Sequence, residues 1–108
     1  MPEPNRLERR IQHDFPDPGA ANGITTALDR LPDEAGYDPD HLRSERIRAA
    51  IVLLANGSLA EFRKAVELAK TDWRDLLIAA GLAHADWPLR LDEALGPDDD
   101  DDGSSQGA

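Results

Sequence analysis

Cysteine is absent from the 108 residues, which excludes a disulfide framework, a thiolate nucleophile and a Cys-ligated zinc site. Aromatic residues make up only 5% of a chain that is 40% apolar, so any core is built mainly from Leu, Ile, Val and Ala. The histidines, His13, His41 and His84, are isolated and form none of the close spacings that bind a metal. No apolar run approaches the roughly 20 residues needed to span a bilayer; the longest uninterrupted one covers residues 49–55. Strict alternation of apolar and polar residues, the mark of a half-buried strand, occurs nowhere. The opening MPEPNRLERR has no apolar leader segment, so no membrane partner and a cytoplasmic location are expected.

Charge is plentiful but one-sided, with a net −10. Five of the 22 acidic side chains form the run at 98–102, which leaves 17 in the remainder against 12 basic ones. An acidic body opposes the phosphate neutralisation that drives nucleic-acid binding, so nucleic acid is the less favoured partner. The run 98–102 followed by Gly103 opens like an EF-hand calcium loop. Its twelfth position, however, would fall one residue beyond Ala108. A solvated acidic tail at 98–108, disordered and solubilising, is the plainer expectation. The rest, residues 1–97, reads as a single helical domain.

The apolar residues cluster between Asp38 and Gly81. Ile47, Ala50, Ile51 and Leu54 fall at helical spacing, and Ala49, Val52 and Leu53 widen the stripe until little of that helix is polar. Such a helix needs cover on several sides, so it is expected at the centre. Asp38-Pro39 supplies its start and Asn56-Gly57 its stop. Ser58-Leu59-Ala60-Glu61 reads as a capping box opening the next helix, whose apolar positions are Leu59, Phe62, Val66 and Ala69. Together the two form a central helical hairpin. Thr71 or Asp72 then caps a third helix carrying Trp73, Leu76, Leu77 and Ala80, and Gly81 ends it. Outside this stretch, residues 5–15 and 22–31 read as short helices, separated by the breaker Pro16-Asp17-Pro18-Gly19. A last helix starts at Asp86-Trp87-Pro88 and stops at Gly96-Pro97. The expected fold is all-α: a small five- or six-helix bundle-like domain around the hairpin.

Candidate sites are few. A Ser or Thr nucleophile would need a positioned base; Ser44 lies near His41, and Ser58 is better explained by its capping role. The echo of Asp72-Trp73 in Asp86-Trp87 suits two Trp rings closing the core edge better than an aromatic ligand pocket. Arg6, Arg9 and Arg10 form one basic stripe, and Arg43 and Arg46 a second. The acidic tail is long enough to fold back over such a stripe and screen it.

The pattern Ser44-Glu45-Arg46-Ile47, then Gly57-x-Leu59, then Asp72-Trp73-Arg74-Asp75 resembles a group of short uncharacterised bacterial proteins. That group shares an E-R-hydrophobic helix, a G-x-L turn and a D-[WY]-R-D helix. The resemblance covers about residues 44–82 and implies a compact helical fold and bacterial origin, with no activity and no functional residue attached. Within it, Arg74 and Asp75 offer an ion-pair patch to a partner, or else pair with Arg46 or Glu45 while Trp73 is buried.

The expectation is therefore a non-catalytic protein–protein interaction or regulatory module with an unknown protein partner. It has no catalytic residue, cofactor or metal, and Arg43, Arg46, Arg74 and Asp75 are its candidate interaction residues. The alternatives are a nucleic-acid-associated regulator using the screened arginine stripes, or a small-ligand binder or minor enzyme between the Trp-bearing helices.

Overall fold

The computed structural model describes residues 6–96. Seven helices run in order among them: α1 (Arg6–Asp14), α2 (Pro18–Ala35), α3 (Pro39–Leu42), α4 (Glu45–Ala55), α5 (Leu59–Thr71), α6 (Trp73–Ala80) and α7 (Trp87–Leu95). The fold is all-α, as the periodicity requires. The acidic run and the tail that follows it lie outside the described residues.

Helix α4 is the hub. It packs on α1, α3, α5, α6 and α7, and Ala49, Ala50, Ile51 and Val52 are wholly buried. The near-complete apolar circumference read from its sequence is thus matched by cover on several sides. Asn56 ends it in the left-handed conformation at φ 47°, and Gly57 follows at φ 83°. Ser58 then starts α5 by accepting the Glu61 N–H at 3.3 Å. The reciprocal half of a capping box is not made, because the Ser58 N–H donates to the Ala55 carbonyl and the Glu61 carboxylate holds Lys64. Asp72 caps α6 through the Arg74 N–H at 3.0 Å.

Four local readings are revised. The helix expected to run from Asp38 is broken at Arg43-Ser44: α3 is a single turn, and Ser44 caps α4 by accepting the Ile47 N–H. Asp38 is no cap. It takes a left-handed conformation at φ 43°, and its carboxylate accepts the Trp73 indole N–H at 3.0 Å. In the third case the expected breaker is a helix start, since Asp17 accepts the Ala20 N–H at 3.0 Å and Pro18 occupies the first helical position. Helix α2 also runs on through Pro32 to Ala35, because Leu31 and Pro32 are buried against the core and left-handed Gly36 closes the end.

Candidate functional site

The four residues proposed from sequence fall into different settings. Arg46 is turned inward: its Nε and Nη2 both donate to the Leu82 carbonyl, at 2.9 and 2.7 Å, and its guanidinium lies over the Trp87 ring at 5.1 Å. It ties α4 to the segment entering α7 and is not displayed to a partner. Arg43 is exposed, with only a loose contact of 3.9 Å to Asp40. Arg74 and Asp75 are exposed on α6. Arg74 leans over Trp73 at 5.3 Å, and Asp75 makes no ion pair among the described residues. The pairing of either with Arg46 or Glu45 does not occur, because both of those groups are already engaged elsewhere.

Trp73 is half-buried and belongs to a polar-edged cluster. Its ring stacks on His41 with centroids 4.6 Å apart, and its backbone N–H donates to the Tyr37 hydroxyl at 3.1 Å. That hydroxyl in turn donates to the Ala69 carbonyl at 2.6 Å. The cluster pins the α2–α3 connection to the α5–α6 junction. Trp87 is also partly buried against the core, with the Arg46 guanidinium over its ring in place of the His41 stack on Trp73.

The first basic stripe is largely internal. Arg6 is 7% exposed and forks onto Glu45 through two bonds of 3.0 and 2.9 Å. It also donates to Asp92 at 2.5 Å and to the Gly96 carbonyl at 3.1 Å. The hydrogen bonds it donates to Glu45, ahead of the one to Asp92, hold its pKa well above the usual guanidinium value against the opposing effect of burial. Arg10 bonds Asp14 and the Ala94 carbonyl. Arg6 and Arg10 thus join α1, α4 and α7, while Arg9, the third arginine of the stripe, is exposed.

A different feature remains open. Between α2 and α5 lies an apolar groove of about 370 Å³. Ala20, Gly23 and Ala27 form one wall, and Leu59, Phe62 and Val66 the other. Arg63 and Glu67, both exposed, line it as well. One turn beyond it on α5, Lys70 clamps the two helices by bonding Glu34 at 3.2 Å and Glu67 at 3.5 Å. The Glu34 hydrogen bond raises the Lys70 pKa. Arg63 has no such partner among the described residues. Gly23 is the informative wall residue. It sits inside a helix, where glycine costs roughly 0.5–1 kcal/mol relative to alanine, yet a Cβ added there would meet nothing within 4 Å. No internal contact requires it. The sequence signal was a glycine within a helical pattern and small residues three or four apart, hidden because the Pro-Asp-Pro-Gly stretch reads as a break.

Among the described residues no cluster of His, Asp or Glu is placed to hold a metal ion, and no helix is long and apolar enough to cross a membrane. Comparison with protein-family models, curated proteins and solved structures found no match to this chain.

Proposed function

We propose that this protein is a non-catalytic protein-interaction module whose contact surface is the α2–α5 groove. The observation that carries the reading is Gly23: the chain bears the helical cost of a glycine at a wall where nothing of its own approaches. A helix interior keeps glycine to good effect where another backbone or side chain must come close. The apolar walls offer a hydrophobic anchor site, and Arg63 and Glu67 supply the charged rim that orients a partner, the arrangement used by helix-in-groove recognition. Of the four residues singled out in the sequence, Arg43, Arg74 and Asp75 remain available for a second contact and Arg46 does not. The likeness of residues 44–82 to small bacterial helical proteins adds expectations of fold and origin to this proposal, but no activity.

A photo-crosslinking amino acid placed at Leu59, in the groove, tests the reading in cells expressing the full chain, with the same group at Leu89 on α7 as control. Protein adducts specific to position 59, lost when Gly23→Leu fills the groove in a variant of unchanged helicity, are expected. Adducts that are identical at the two positions, or none at position 59, refute it.

A further inference from the structure

We infer that the groove receives the α6 face of a second copy of this chain, with Ile78 as the apolar anchor; this rests on the groove being the contact surface. Three side chains of α6, Arg74, Asp75 and Ile78, share one helical face by their three- and four-residue spacing. That face is opposite the buried Leu76 and Leu77. Ile78 is 66% exposed, the most exposed large apolar side chain described. It stands one turn after a carboxylate that has no ion-pair partner among the described residues.

The groove presents the complement: an apolar gap over Gly23 flanked by Arg63, a cation with no ion-pair partner among the described residues, while the other rim charge, Glu67, is already held by Lys70. Seating Ile78 in the gap brings Asp75, one turn away on the same face, to the side of Arg63, which pairs two charges that have no ion-pair partner among the described residues. Leu89, nearly as exposed, is the rival anchor. Its face is acidic, and two of its carboxylates are occupied, Asp86 by Arg90 and Asp92 by Arg6. The net charge of −10 sets copies apart at long range, but at 0.15 M salt that repulsion is screened beyond about 8 Å. Because anchor and groove are different surfaces, the contact either closes by reciprocal exchange between two copies or continues to larger rings or chains.

Sedimentation of the purified full chain from micromolar to millimolar concentration at 0.15 M salt tests this. The mass is expected to rise with concentration. Ile78→Asp is expected to abolish the rise, and Arg63→Glu to weaken association about tenfold. Adding Asp75→Arg to the Arg63→Glu chain restores it, and Leu89→Asp leaves it intact. A monomer throughout, an association indifferent to Ile78 or Arg63, or a charge exchange that fails to rescue, overturns the inference. Monomeric behaviour together with foreign-protein adducts at position 59 would remove the self-contact and leave the groove reading standing. Monomeric behaviour without such adducts would remove both.

Discussion

Two seams of the molecule handle charge in opposite ways. Where α1, α4 and α7 meet, Arg6 is sealed in by Glu45, Asp92 and the Gly96 carbonyl, and its cation is answered wholly within the chain. Along α2 and α5 the apolar walls stand apart, glycine replaces a side chain, and Arg63 is unanswered among the described residues. Both seams carry an arginine, so the presence of a cation alone does not separate them. What separates them is whether the neighbouring element supplies a carboxylate and enough bulk. A satisfied seam holds the fold, and an unsatisfied one is free to take something from outside.

The contrast can be broken in three places. The largest effect is expected at Ile51, fully buried in α4 beneath the packed helices. Ile51→Ala should cost about 2–5 kcal/mol, enough to bring so small a domain near its unfolding limit. Urea denaturation measures it, and a loss below about 1 kcal/mol would mean that α4 is not the hub. Arg6→Met comes next. It keeps the bulk but leaves two carboxylates facing each other's field without a cation. Breaking a buried pair typically costs about 3–5 kcal/mol; with Glu45 and Asp92 side chains 40% and 55% exposed, roughly 2–3 is expected here. If Arg6→Met unfolds no more readily than the parent, the closed seam is not held by its fork. The smallest effect has the opposite sign. Gly23→Ala should stabilise by about 0.5–1 kcal/mol, seen as a melting temperature higher by roughly 4–8 °C per kcal/mol. A fall instead would show that the α2 wall is already filled from within.

Several features were legible before any coordinates. The stop at Asn56-Gly57, the caps at Ser58 and Asp72, and the buried stripe of α4 are local or periodic, and the structure has them where the spacing puts them. Others misled because one residue type serves two purposes. Asp17-Pro18 opens a helix with the same residues that break one, and Pro32 stays inside α2 only because its ring is buried. Asp38 sits before a proline as a cap would, yet a ring 35 residues away claims its carboxylate.

The arginines mark the limit of sequence reading most clearly. Arg46 and Arg63 look equally available as letters, but the carbonyl of Leu82 and the face of Trp87 reach only the first. Helix type, and the ends set by local caps at Asn56-Gly57, Ser58 and Asp72, are fixed by interactions spanning a few residues, so the chain alone determined them. Which charges are answered inside and which groove stays open depends on groups far apart in the chain. Only the packing of α2 on α5 and of α1 on α4 and α7 decided that.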